Sequence, residues 1–284
     1  MFTPTFFQAL ASISSLHSPC SSIYSLLREL ISTCVPTTAF SKTENVPVEF
    51  GEFGSIVFPL YNFGNLDSLA LFGIDELILF SFYLCNKTRY QNVLDIGANI
   101  GLHSIVMSKI GWNVIAFEPD PLHCEVFMRN MVLNKATNVE IVSKAVYDKN
   151  SNLSFVRVEG NTTGSHIQGM KKDPYGKLSE LQVDCVDIAD HLNNIDFIKL
   201  DAEGAEFSIL SRIPSEYFKT LDIMAEISTD TNAQLLFDYM KSTQTFNIFS
   251  QKSGWKKVKY LSDLPTSHRG GSVFITSKDS VPFH

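Results

Sequence analysis

Acidic residues stand at several points where an apolar run of this chain stops. Val93 to Ser104 reads VLDIGANIGLHS, an uncharged run carrying Asp95, then Gly97 and Gly101 with Asn99 between them, then a second apolar run. Glu118 closes AFE, Asp201, Glu203 and Glu206 lie in IKLDAEGAE, and Glu226 lies in IMAEIS. A carboxylate at the end of a buried strand can accept hydrogen bonds from hydroxyls, take a proton, or hold a cation. The glycines pose a choice. Either they only turn the chain between a strand and a helix, or they aim free backbone N–H groups at a ligand that approaches where no Cβ stands.

The elements that would hold these residues follow from periodicity. Strands at 92–96, 113–117, 139–143, 195–200 and 221–227 alternate with helices at 102–110, 121–133, 204–211 and 232–241. Apolar strands separated by amphipathic helices predict a mostly parallel sheet with helices on both faces, an α/β Rossmann-like fold. Leu153–Val158 and Leu181–Val186 read as strands flanking a polar, glycine-containing excursion, and 246–250, 256–260 and 271–276 read as closing antiparallel strands. Ahead of the sheet, 46–60 predicts a hairpin and 69–84 one long helix. Ser22–Thr33 predicts an amphipathic helix that docks through Ile23, Leu26, Leu27, Leu30 and Ile31. The expected organisation is an N-terminal helical extension and linker over 1–45, a hairpin and helix over 46–90, and a ligand-binding domain over 91–284.

In such a sheet ligands lie beyond the carboxyl ends of the strands, where Asp95, Glu118, Asp201 and Glu226 fall. Glu118 comes 23 residues after Asp95, the separation at which a second-strand acid accepts from ribose hydroxyls. The helix start beside it is served by Asp120 as cap and Pro121 in the first turn. A dinucleotide fingerprint has a third glycine, which is missing here, and Asp95 would repel a pyrophosphate. A carboxylate there suits an ammonium or sulfonium, as in S-adenosyl-L-methionine.

LDIGANIG, AFEPD, PLHCEVFMRNMVLN and above all IKLDAEGAEFSIL resemble the FkbM-type family of S-adenosylmethionine-dependent methyltransferases, of the class I methyltransferase fold. The resemblance spans 92–276. It implies methyl transfer to an oxygen of a saccharide or natural-product-like small molecule. It also implies cofactor binding by Asp95, Gly97, Asn99, Gly101 and Glu118, with Lys144 and Ala145 near the adenine.

Methyl transfer asks the protein to align an acceptor and remove its proton. Asp201, Glu203 and Glu226 are the candidate catalytic residues, with Glu206 read as a helix first-turn charge. His103 is read as a packing or capping residue, and Thr163, Ser165 and His166 are read either as a pocket wall or as a solvated turn. A divalent ion between Asp201 and Glu226 is the alternative to a direct base; no third ligand is visible, so no metal is expected. Two competing functions remain: a nicotinamide-dependent oxidoreductase, and a non-catalytic Rossmann-like binding module.

Composition sets the outer limits. A net charge of −7 and 44% apolar residues describe a globular chain without general affinity for nucleic acid. Its 5 cysteines form no CxxC or zinc spacing, consistent with a reducing compartment. The first forty residues have Arg28 and Glu29 as their charges, with neither a basic start nor an unbroken apolar stretch. A cytoplasmic location without stable membrane insertion is the expectation. The oligomeric state is open.

Overall fold

A computed structural model describes residues 2–38, 40–170 and 176–283. The N-terminal part holds α1 (Pro4–Ser12), α2 (Ser22–Thr38), the hairpin β1 (Pro47–Glu49) and β2 (Ser55–Val57), and α3 (Ile74–Cys85). Then come β3 (Asn92–Ile96), α4 (Leu102–Lys109), β4 (Asn113–Phe117), α5 (Pro121–Asn134) and β5 (Val139–Val142). The excursion forms β6 (Ala145–Tyr147), β7 (Ser151–Val158), β8 (His166–Ile167) and β9 (Leu178–Asp187). The chain closes through β10 (Phe197–Leu200), α6 (Glu206–Leu210), β11 (Asp222–Glu226), α7 (Asp230–Thr243), β12 (Asn247–Ser250), β13 (Lys256–Lys257) and β14 (Ser272–Thr276).

The main sheet runs β13-β12-β14-β11-β10-β3-β4-β5. Strands β11, β10, β3, β4 and β5 are parallel, and β14 is antiparallel to both of its neighbours. Strand order therefore reverses between β3 and β10, which opens a crevice at their carboxyl ends. Because side chains alternate along a strand, each face collects its own core. Val93, Phe197, Met224 and Phe274 face one core with α1, α3 and α4, while Leu94, Ile198, Ile223 and Ile275 face another with α6 and α7.

The segment ahead of residue 90 is thus one of the layers of the sandwich. Helix α3 is apolar nearly all round, with Leu77, Ile78, Phe80, Phe82 and Tyr83 fully buried. Phe2, Phe7, Phe50, Phe53 and Phe72 pack edge to face around it. The four-stranded sheet, ordered β6-β9-β7-β8, stands over the carboxyl ends of the main sheet. Backbone bonds clasp it to the N-terminal layer: Asn65 N–H donates to Gly160 O at 2.8 Å and Thr162 N–H to Phe63 O at 3.0 Å.

Three expectations are corrected. The helix expected over 69–84 is broken by Gly73, whose extended backbone (ψ 169°) separates a short turn at Ser68–Phe72 from α3. The helix expected from residue 204 starts at Glu206, because Glu203 (φ 50°) and Gly204 (φ 109°) leave the right-handed region. Helix α2 docks by only part of the expected stripe: Ile31 is buried and Leu27 partly so, joined by Tyr24, whereas Ile23, Leu26 and Leu30 are exposed. Its rotation is set by the Tyr24 hydroxyl, which donates to Asp75 Oδ2 at 2.8 Å. Among the described residues no helix is long and apolar enough to cross a membrane.

His17 locks the N-terminal layer to the far edge of the sheet. Its Nε2–H donates to Leu10 O at 2.9 Å and its Nδ1 accepts from Trp255 Nε1–H at 3.0 Å. Burial lowers its pKa from 6.5 to about 4, with the Leu10 bond opposing. Between those values the unfolded chain binds the proton and the folded one does not, so this share of stability is full above pH 6.5 and is lost as pH falls. His17→Gln should therefore flatten the acid limb of a stability–pH curve by up to about 3 kcal/mol. Chemical denaturation at a series of pH values checks this, and an unchanged acid limb would remove His17 from that role.

Candidate functional site

The crevice is a cavity of about 720 Å³. Strand ends of the main sheet supply Ile96, Gly97, Asn99, Phe117, Glu118, Asp201, Glu203 and Glu226 to its lining. The second sheet and its loops add Ala145, Val146, Phe155, Thr163, Ser165 and His166, and the N-terminal layer adds Leu66, Ala70, Leu71, Asp75 and Glu76. Gly97, Asn99, Glu118, Ala145, Asp201, Glu203 and Glu226, scattered in sequence, thus share one space, and the loop at 163–166 is a wall of it.

Two of the nominated residues are placed elsewhere. Asp95 is fully buried beneath the turn, accepting from Ser104 Oγ at 2.6 Å and lying 3.8 Å from Lys199 Nζ. It is absent from the cavity lining, so it cannot offer a bare charge to a ligand there. Gly101 faces away as well: a Cβ on it would fall 2.0 Å from the Phe127 ring, so it is a packing glycine against α5. Lys144 is also outside the lining.

The glycine turn does not present free amides. Gly97 and Ala98 N–H both donate to Phe117 O at 3.0 Å, Asn99 N–H to Glu118 Oε2 at 2.8 Å, and Ile100 N–H to Asn99 Oδ1 at 2.8 Å. Gly101 N–H donates to Ala98 O at 2.9 Å. The turn is consumed by its own bonds and forms no phosphate cradle. Gly97 has a different duty. At φ 77° it lets the Asp201 carbonyl come within 1.8 Å of where a Cβ would stand, which brings the ends of β3 and β10 together.

Glu118 is buried but lines the cavity, and its Oε1 accepts from Asp120 N–H at 2.9 Å. Each carboxylate oxygen keeps a second lone pair after its amide bond, so the group is aimed and still able to accept. Asp120 caps α5 through Leu122 N–H at 2.9 Å and takes a two-pronged contact from Arg157, as its capping assignment requires. His123 stands 3.6 Å from Glu118 and bonds Thr162 Oγ1 at 2.9 Å.

Lys199 is the residue that sequence reasoning missed. It pairs in register with Asp95 across β10 and β3, and Asp201 lies two residues on, hence on the same side. Its ammonium is 3.6 Å from Asp201 and 3.8 Å from Asp95. Burial disfavours that charge, yet Asp201, Asp95, Glu76 and Glu226 outweigh it and hold the lysine protonated. Glu226 has the opposite balance: burial, then Asp201, Glu203 and Glu76, push its carboxyl well up, and Lys199 offsets this only in part. The cavity thus sets a charged lysine behind Asp201 and, on the next strand, a carboxyl that gives up its proton less readily than an ordinary glutamic acid. No group of three or more acids, histidines or cysteines suited to a metal occurs among the described residues.

Glu76, to which sequence reasoning assigns no role, is part of the cavity wall. It accepts from His103 Nε2–H at 2.7 Å, and His103 Nδ1 accepts from Tyr83 O–H at 2.8 Å. Burial alone would raise its carboxyl, but His103 and Lys199 outweigh burial and lower it. No spacing in the sequence connects residues 76, 83 and 103; only the packing of α3 on α4 does.

The strand order with one antiparallel strand inserted near the edge, and a cavity edged by strand-end carboxylates at the reversal point, define a class I, Rossmann-like methyltransferase fold. Residues 95–233 match the Methyltransferase FkbM domain, so the chain carries an FkbM methyltransferase domain. It is similar to Methyltransferase 1 of Beauveria bassiana, 26% identical over 152 residues, which cover 46% of this chain and 61% of that protein. It is also similar to Methyltransferase sdnD of Sordaria araneosa, 23% identical over 206 residues, covering 61% and 80% of the respective chains. A solved putative O-methyltransferase from Klebsiella pneumoniae superposes with a TM-score of 0.41 at 12% identity, over 69% of this chain and 77% of that one.

Glu206 is fully buried and outside the cavity lining. It accepts from Gly204 N–H at 2.8 Å and from Asn232 Nδ2, tying the DAEGAE turn to α7. Burial raises its pKa from 4.5 to about 7, against its two backbone bonds. Here the folded state holds the proton longer, so stability falls as pH rises between those values. Glu206→Gln should keep the fold and remove up to about 3 kcal/mol of that decline. Urea unfolding at pH 5 and pH 8 reads the difference, and an equal decline in the variant refutes the assignment.

Proposed function

We propose that the chain transfers a methyl group from S-adenosyl-L-methionine to an oxygen of a saccharide or natural-product-like small molecule. The convergence of Gly97, Asn99, Glu118, Ala145, Asp201, Glu203 and Glu226 on one cavity of a methyltransferase domain carries this reading. The cavity fits such a cofactor. Glu118 offers two backbone-aligned oxygens to ribose hydroxyls, Phe117, Ala145 and Val146 give apolar surface to a purine, and the acids beyond suit a cationic end. The satisfied amides of the glycine turn weigh against a pyrophosphate and hence against a nicotinamide dinucleotide.

When bound, the cofactor would supply an activated methyl on sulfonium. The protein's own work is to align the acceptor in line with that group, exclude water, and take up the acceptor's proton. Asp201 is assigned as the base, with the Lys199 ammonium 3.6 Å behind it. Glu203 and the proton-bearing Glu226 flank it as acceptor-orienting groups, the latter able to donate a hydrogen bond. The net charge of −7 supports a small-molecule acceptor over nucleic acid.

Calorimetry with S-adenosyl-L-methionine and, separately, NAD should give binding of the first and none of the second; the reverse result overturns the reading. Glu118→Ala should weaken S-adenosyl-L-methionine by roughly 1.5 to 3 kcal/mol per lost charged bond while the circular-dichroism spectrum is retained. An unchanged dissociation constant takes Glu118 out of the site. Asp201→Asn should abolish transfer of a radiolabelled methyl group while sparing cofactor affinity, and near-normal turnover would dismiss Asp201 as the base.

A further inference from the structure

The acid expected to meet the amino-acid end of the cofactor, Asp95, is withdrawn under the turn, paired with the Lys199 ammonium and hydrogen-bonded by Ser104. A zwitterion bound in the cavity still needs an ionised carboxylate for its ammonium, since an unpaired charge in a partly buried site is costly. Besides Glu118, the acids that line the cavity are Asp75, Glu76, Asp201, Glu203 and Glu226. Asp75 is taken up by the Tyr24 hydroxyl and the Gln251 amide, burial and neighbouring acids push the Glu226 carboxyl up, and Asp201 already shares the Lys199 charge. Glu76 differs from these three. It reaches the cavity from α3, outside residues 95–233, and is fixed by the Tyr83–His103 relay with bonds of 2.8 and 2.7 Å. His103 stands in the first turn of α4, so the relay places Glu76 beside that helix N-terminus, whose dipole suits the cofactor's carboxylate.

We infer that Glu76, positioned by His103 and Tyr83, binds the α-ammonium of S-adenosyl-L-methionine, making the N-terminal layer part of the cofactor site. This rests on the methyltransferase reading. Groups facing Glu76 are His103 on α4, Lys199 on β10, Glu226 on β11 and its neighbour Asp75 on α3. Tyr83 and His103 are positioning residues.

The test uses the full chain and three probes: S-adenosyl-L-methionine, S-adenosylhomocysteine, and methylthioadenosine, which lacks the amino acid. Glu76→Gln keeps an acceptor for His103 and so should keep the fold. It should weaken the first two probes by about tenfold or more and leave methylthioadenosine unchanged. Glu118→Ala, by contrast, should weaken all three. Tyr83→Phe should reproduce the Glu76→Gln pattern more weakly, a selectivity that mere loosening of the core would not produce. Equal effects of Glu76→Gln on all three probes, or none on any, overturn the inference. Failure of the wild-type chain to bind any probe instead overturns the methyltransferase reading.

Discussion

The ammonium of Lys199 is the hinge of the design. It lies within a strand that is otherwise apolar, between Asp95 on the neighbouring strand and Asp201 at its own end. Without it two carboxylates would crowd at the point where strand order reverses, a few ångströms from further acids of the cavity. Removing one partner from a buried ion group costs about 3–5 kcal/mol, so the three are effectively one unit. Asp95 thereby acts on the cavity only indirectly, by setting the charge behind Asp201.

Around that unit the backbone is drawn tight. The missing Cβ of Gly97 lets the Asp201 carbonyl sit against β3, and the left-handed Glu203 and Gly204 turn the chain over the cavity before α6 begins. Glu206, Asn232 and Ser228 then fix that turn from behind. The walls come from three sources distant in sequence, and the acids on them sit in different electrostatic surroundings. His103 and Lys199 pull the Glu76 carboxyl down, while burial and then the neighbouring acids push the Glu226 carboxyl up.

The parts legible in sequence were those governed by local rules. The strands at 92–96 and 113–117 match their predicted bounds, Asp120 caps α5 as its EPDP context implies, and the carboxylates at strand ends fall on one cavity because parallel strands place their ends together. What could not be read depended on register and on layer packing. Lys199 carries no spacing signal in IKL, and its place opposite Asp95 emerges only when β10 is set beside β3. The stripe of α2 was read too wide: Leu27 and Ile31 dock, but Tyr24, whose phenol bonds Asp75, is buried beside them while Ile23, Leu26 and Leu30 stay out. Glu76 and His103 share no motif, and their meeting is a property of the α3–α4 contact alone. The glycine turn offered two readings in sequence, a bare turn or amides aimed at a ligand, and the fold takes the first: every N–H from Gly97 to Gly101 has a partner within the protein.

The clasp between Phe63–Asn65 and Gly160–Thr162 joins the N-terminal layer to the second sheet above the strand ends. A Cβ on Gly64 would lie 2.5 Å from the Glu159 carbonyl, so the two backbones touch with no room between them. Traffic into and out of the cavity cannot pass through this seam without unzipping paired main chain. The two walls are stitched together by main-chain bonds at this seam, so the way in for any large molecule must lie along the part of the rim that the clasp leaves unsewn.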